Sequence, residues 1–425
     1  MHQPNKIFVN FVKHLLLPTV GALALSQPLW AQNLPRDFEK AVAFDPTFQS
    51  AKADFEVGQR TVKQSRSVYH PEATFNTQRL ATDTSNRTTV SVTQPLLDAQ
   101  RWMTLGQAQP QQSLAEMNLR VKLQDLALRL VKAANAIVVA NENIKLNAAK
   151  MEALDQQAQA AKQKQQLGQG TVTDVRDIEV KASQAKAQQI SLVTQLQNAL
   201  KQYESITGVL PAANAFVLPT NHLAYGLKSL ADYTDRALRA GPNVLAARYS
   251  VEIAEYEVKK TKASLLPSVQ AQYSYSEASG LTTTNSYVGI GMTVPLKAGT
   301  LYGIDAAQAS VVKAQETLRE TESKVRLEAD RLTALVSSGM EALRVQREAI
   351  AAAELSVEAN RQSYQGGVRT AVDVINALQT VYQVTSEYVG LVTAQSENIL
   401  SLILLAAINP QDGVNETYRY LFAKN

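Results

Sequence analysis

Residues 101–165 hold a single proline, Pro110, near the start, and are otherwise rich in Ala, Gln, Leu and Lys. A run so free of helix breakers predicts one helix, about 100 Å long at roughly 1.5 Å per residue. Nothing compact can cover such a rod, so its own pattern must say what does. Leu123, Leu126, Leu130, Ala133, Ile137, Ala140, Ile144, Asn147, Met151, Leu154, Ala158 and Ala161 recur at alternating steps of three and four, the spacing of a coiled-coil seam. Val121, Leu128, Val131, Val138 and Leu146 form a second stripe. A helix with two seams needs neighbours on two sides, which a lone hairpin cannot give.

The return helix, over 172–207, keeps the rhythm through Ile178, Ala182, Ala185, Gln189, Leu192, Leu196, Ala199, Tyr203 and Ile206. It is little more than half as long as its partner. A helical stretch over 36–66 supplies the rest, so two short helices end to end pair with one long one. The arrangement recurs, with 227–264 and 371–407 set against 299–363 and a seam through Val374, Leu378, Val381, Thr385, Tyr388, Val392, Gln395, Ile399, Leu402 and Ala406. Gly168 precedes Asp174 by six residues, as Gly367 precedes Asp373, an offset of 199 between the pairs; Pro95 answers Pro295 at 200, and Pro71 answers Pro267 at 196. The chain therefore reads as two copies of one unit. The expected organisation is a leader over 1–31, a first repeat over 32–207, a linker over 208–221, a second repeat over 222–408 and a tail over 409–425. Each repeat holds a helix, a strand pair (71–96 or 267–296) and a long helical hairpin (101–207 or 299–407).

The strand pairs change period. In "SVQAQYSYS", residues 268–276, Val269, Ala271, Tyr273 and Tyr275 alternate with Ser and Gln, and "YVGIGMTVP" puts Val288, Ile290, Met292 and Val294 on one face. These are strands with one polar face. The first copy is fainter, with Ala73, Phe75 and Thr77 in one strand and Val90 and Val92 in the next. Strands of about 9–11 residues cross a bilayer when tilted. Four cannot close a membrane barrel, whose smallest examples have about eight, so the chain would contribute staves to a shared one. The plainer alternative is a small soluble sheet capping a coiled coil.

The first 31 residues carry Lys6 and Lys13, no acid, and an apolar run from Leu15 to Leu25 before "SQPLWAQ". They read as a secretory leader cleaved after Ala31. With a net charge of +4 over the whole chain, two of the lysines being in that leader, the remainder is too balanced for nucleic-acid binding. The chain has no Cys, which excludes disulfides, thiolate metal sites and an N-terminal lipidated Cys. Beyond the leader the longest apolar run is 399–408, about half a helical span, so only strands closed into a barrel could cross a membrane. Catalysis finds no support: His70 and His222 are the histidines outside the leader, and H-E-x-x-H, G-x-S-x-G and Walker-type loops are absent. No cofactor or structural metal is expected.

Given the duplicated unit, the strand pairs, the G-x5-D-V tips, "YQGGVRTAVDVINALQTVY", "TDV" at 173–175, "VPLKAG" and "QPLLDAQ", the sequence resembles the TolC family of outer-membrane efflux and secretion channels. The resemblance implies a mainly α fold with β: a homotrimer whose four strands per chain build one outer-membrane barrel, continued by a coiled-coil tunnel into the periplasm. It also implies a periplasmic adaptor and an inner-membrane transporter as partners, and a tunnel closed at its inner end. Carried over, Asp373 rings the pore entrance, and Asn376 stands where the next ring usually has an aspartate; Asp177 holds that position in the other copy. Tyr364 and Arg369 would tie the second coil to its neighbours through Thr173 and Asp174. Gly168 and Gly367 mark the tips where an adaptor would dock.

The tips also have an ordinary explanation. Glycines permit the turn, and an aspartate suits the positive end of the returning helix. Arg369 is not explained by capping, and an Arg–Asp link across coils is of a kind worth about 0.2–1 kcal/mol, weak enough for a partner to break. A different class of function, a soluble periplasmic adaptor or scaffold without a pore, would account for the hairpins and export but not for doubled strand pairs with an apolar face. The exported substrate stays open, as does the role of the tail, where Tyr418, Tyr420 and Phe422 alternate.

Overall fold

A computed structural model describes residues 34–79, 86–168, 170–216, 218, 225–278, 285–295 and 299–422. The expected leader, the centres of both interstrand loops, Leu296, Lys297 and Ala298 of "VPLKAG", part of the 208–221 linker, His222 and the last three residues of the tail lie outside them.

In chain order the elements are α1 (Leu34–Phe44), α2 (Pro46–Arg66), β1 (Glu72–Arg79), β2 (Asn86–Leu97), α3 (Ala99–Gln166), α4 (Val172–Thr207), α5 (Leu230–Ala240), α6 (Pro242–Ala263), β3 (Ser268–Ala278), β4 (Asn285–Thr293), α7 (Gly299–Gln365), α8 (Ala371–Leu405) and α9 (Pro410–Phe422). The 68-residue α3 packs against α2, α4, α6 and α8, which gives both seams a cover. Leu126, Leu130, Ala133, Ile137, Ala140, Leu154 and Ala161 of one seam, and Val131 and Val138 of the other, are buried.

One expectation needs correction, and the tail, left open above, has an element. The stretches 36–66 and 227–264 are each two helices. Asp45 stops α1 and caps α2 by accepting from the Phe48 amide at 2.7 Å, ahead of Pro46, which cannot donate. Gly241 and Pro242 break the second stretch in the same place. The tail, despite its strand-like alternation, is helix α9, with Val414, Thr417, Tyr420 and Leu421 buried.

The core lies at mid-height, where Leu34, Phe38, Phe48, Leu126, Leu130 and Ile137 meet Tyr203, Phe216 and Leu400. The rings of Tyr203, Phe216 and Phe422 stack in succession, centroids 5.4 and 5.6 Å apart, and so tie α9 to the first repeat. Tyr420 meets Tyr225 edge-on from the other side. The buried carboxylates Asp37 and Asp45 are paired: Tyr203 Oη donates to Asp37 at 2.7 Å, and Arg129 holds both oxygens of Asp45 at 2.9 Å. Gly208, at φ 72°, ends α4 where a Cβ would meet the Phe44 ring at 2.8 Å. Helix α8 is apolar and long enough to cross a membrane, but Leu400 is buried in this core and Val392, Ile399, Leu402 and Ile403 in a second cluster with Leu332 and Val336, which accounts for its composition.

The four strands form one antiparallel sheet in the order β1-β2-β3-β4, so the two repeats pair through β2 and β3. Register aligns the apolar sides: Ala73, Val92, Tyr273 and Val288 form one row, Phe75, Val90 and Tyr275 the next. On the opposite side Thr74 and Ser91 share a hydrogen bond of 2.7 Å, and Thr89 and Ser276 one of 3.3 Å. Among the described residues nothing covers the β4 part of the apolar side, where Val288 is 81% and Ile290 75% exposed. Among the described residues, β1 and β4 have no partner on their outer edges.

Candidate functional site

Helix α3 ends at Gln166, and the Leu167 and Gly168 amides donate back to Gln163 and Gln165. Gly168 takes φ 72°, which a side chain would strain. The chain then re-enters helix at Thr171, whose hydroxyl accepts from the Asp174 amide at 3.1 Å while Asp174 accepts from the Thr171 amide and hydroxyl. This is a reciprocal capping box. The second tip repeats it: Gly367 takes φ 75°, the Thr370 hydroxyl accepts from the Asp373 amide at 3.3 Å, and Asp373 accepts from the Thr370 amide and hydroxyl at 2.9 Å each. Those Thr370 bonds, with Arg369 nearby, hold the Asp373 carboxyl below its usual pKa.

Asp174 and Asp373 are therefore helix-start carboxylates, whatever else they do. Each leaves an edge toward solvent. Asp373, Asn376, Thr380, Gln383 and Glu387 fall on one face of α8, none of them buried, opposite the buried Ala371, Val374, Ile375 and Leu378. That face is a polar stripe running up from the tip, suited to line a wet passage.

Arg369 is exposed and reaches Asp373 in its own tip, Nη1 to Oδ1 3.8 Å. Among the described residues no bond joins it to Thr173 or Asp174 of the same chain. Tyr364 does bridge the coils: its ring packs against residues of both, and burial, with the Asp174 carboxylate, raises its pKa. Lys164 lies over that ring, Nζ 3.7 Å from the centroid, and donates to the Tyr364 carbonyl at 3.2 Å.

Three residues here escaped the sequence reading. Thr171 and Thr370 were readable as T-x-x-D ahead of an apolar run. Lys164 was not, since its partner stands 200 residues away in sequence. Among the described residues no cluster of His, Asp or Glu is arranged to hold a metal.

The model of the family described as "Outer membrane efflux protein" matches residues 38–209 and again 234–407, one match to each copy. The alkaline protease secretion protein AprF of Pseudomonas aeruginosa is 27% identical over 402 residues, covering 86% of this chain and 82% of its own. The outer membrane protein TolC of Vibrio cholerae is 26% identical over 417 residues, covering 92% and 94%. Among solved structures, the outer membrane protein VceC of Vibrio cholerae superposes with a TM-score of 0.73 at 16% identity, over 88% of this chain and 96% of that one.

Proposed function

Because the chain belongs to the outer membrane efflux protein family, matched in both of its halves, we propose that three copies pool their sheets into one outer-membrane barrel continued by a helical tunnel in the periplasm. The protein is a passive exit duct of an efflux pump or a type I secretion system. The family is one of transport channels rather than of enzymes. One observation carries the shared barrel: among the described residues, a four-stranded sheet has an uncovered apolar face and two unpaired edges. Lipid satisfies the face and neighbouring copies satisfy the edges. A soluble scaffold would leave both in water.

The coil tips form the inner gate. Three Asp373 carboxylates around an axis, with Asn376 one turn above, attract cations as rings of side-chain charge do. Arg369 of one copy bonds Thr173 or Asp174 of the next, and Tyr364 joins coils within a copy. A periplasmic adaptor docks at the tips around Gly168 and Gly367 and couples the duct to an inner-membrane transporter. The secretion role named for AprF makes polypeptides one substrate class to test beside drugs.

The test is the mass of the detergent-purified protein together with its behaviour in planar bilayers. A trimer that conducts supports the duct; a monomer that dissolves without detergent and leaves bilayers silent sinks it. In a conducting trimer, Asp373→Ala should weaken cation selectivity and block by multivalent cations, and unchanged values would remove Asp373 from the ring.

A further inference from the structure

Tyr364 stands on the last turn of α7, yet much of what surrounds it belongs to the first coil. It packs against the cluster of Leu154, Ala161, Val175 and Ile178 as well as against Val357, Val374 and Leu378 of its own coil. Its carbonyl is among the last of α7, where intrahelical donors run out and the helix end is electronegative. Helix α7 has no basic residue in its last turn. The cation comes instead from α3, whose last turn carries Lys164: one ammonium lies over the Tyr364 ring, 3.7 Å from its centroid, and donates to the Tyr364 carbonyl at 3.2 Å.

We propose that Lys164 is a gate latch, supplying the C-terminal cation that α7 lacks and so coupling the two coils of one subunit at the tunnel entrance. The latch rests on the gate reading given above. It differs from the Arg369 link in joining coils within a copy, and so it holds the second coil against the first rather than copy against copy. Ring and carbonyl are both weak partners for an ammonium, which makes the latch reversible. Opening requires the second coil to leave the first, and that movement separates Lys164 from Tyr364.

The test is single-channel recording of the full-length trimer. Lys164→Met keeps the apolar stem and removes the charge. It should raise the open population about tenfold when three latches release together, with Lys164→Arg returning it toward the starting value. In a Tyr364→Leu background, which lacks the ring, Lys164→Met should add much less. Arg369→Ser serves as the control on the gate itself. If Arg369→Ser opens the channel and Lys164→Met does not, the latch is wrong and the gate stands. If neither changes conductance, the gate reading fails and the latch with it. Full additivity of Lys164→Met and Tyr364→Leu overturns the coupling, as does a loss of thermal stability without any change in opening.

Discussion

At mid-height, around residues 34–48, 126–138 and 199–216, side chains are buried and hydrogen bonds run between elements far apart in sequence, such as Tyr203 to Asp37 and Arg129 to Asp45. At the tips, residues 164–174 and 364–373, most bonds are local and exposed: two capping boxes, one loose Arg369–Asp373 pair and one lysine over a tyrosine. The same two helical hairpins pass through both levels. Buried contacts are therefore concentrated where the repeats are fastened together and sparse at the tips, where the proposed gate would open, as expected when moving parts are drawn from the least stable end of a fold.

Substitutions that leave one level intact can break this contrast. The largest effect is expected from Tyr203→Ala, which removes a fully buried ring packed on Phe216 and strips Asp37 of a donor. It should cost about 3–5 kcal/mol in denaturant unfolding of the detergent-solubilised protein, with the conductance of surviving channels unchanged. Arg129→Met comes next, at about 3 kcal/mol, because it abandons a buried carboxylate.

Its pH dependence has a definite sign. Burial pushes the Asp45 carboxyl up, but Arg129 and the Phe48 amide together hold it below 3.8. The stabilisation is thus complete above the unfolded value and is lost only as pH falls through the lowered one. Without Arg129, burial is opposed only by the Phe48 and Thr47 amides, and the folded value rises. The deficit of the variant should then be largest at pH 7 and shrink toward pH 4, and a deficit independent of pH would contradict the pairing.

At the tip, Thr370→Ala should cost about 1 kcal/mol. The loss should show as faster hydrogen exchange in the first turn of α8 and not around α9. The smallest change in unfolding belongs to Arg369→Ser, which should nevertheless raise single-channel conductance. If the tip variants melted the trimer as strongly as Tyr203→Ala, the division into fastened middle and yielding tip would be wrong.

The seams were legible because burial follows helical periodicity: Ile178, Leu192, Tyr203, Val392, Ile399 and Leu402 were all on the predicted stripes and all are buried. The strand faces were legible for the same reason at period two. The breaks at Asp45–Pro46 and Gly241–Pro242 were lost because the apolar pattern runs through them, although Asp-Pro and Gly-Pro are turn signals. In α9 the aromatic alternation masked a helix whose buried face, Val414, Thr417, Tyr420 and Leu421, follows steps of three and one. Lys164 and the Asp37–Tyr203 bond depend on which helices become neighbours, and one chain's periodicity does not encode that.

The two open borders of the sheet have a bearing on how the protein reaches its place. A solitary subunit released into an aqueous compartment carries raw ladder edges and a greasy surface at once, the combination that drives strands to join indiscriminately. On the proposed threefold assembly, maturation has to make lipid entry and association one concerted event, and a subunit that arrives without its siblings is a candidate for escort or destruction.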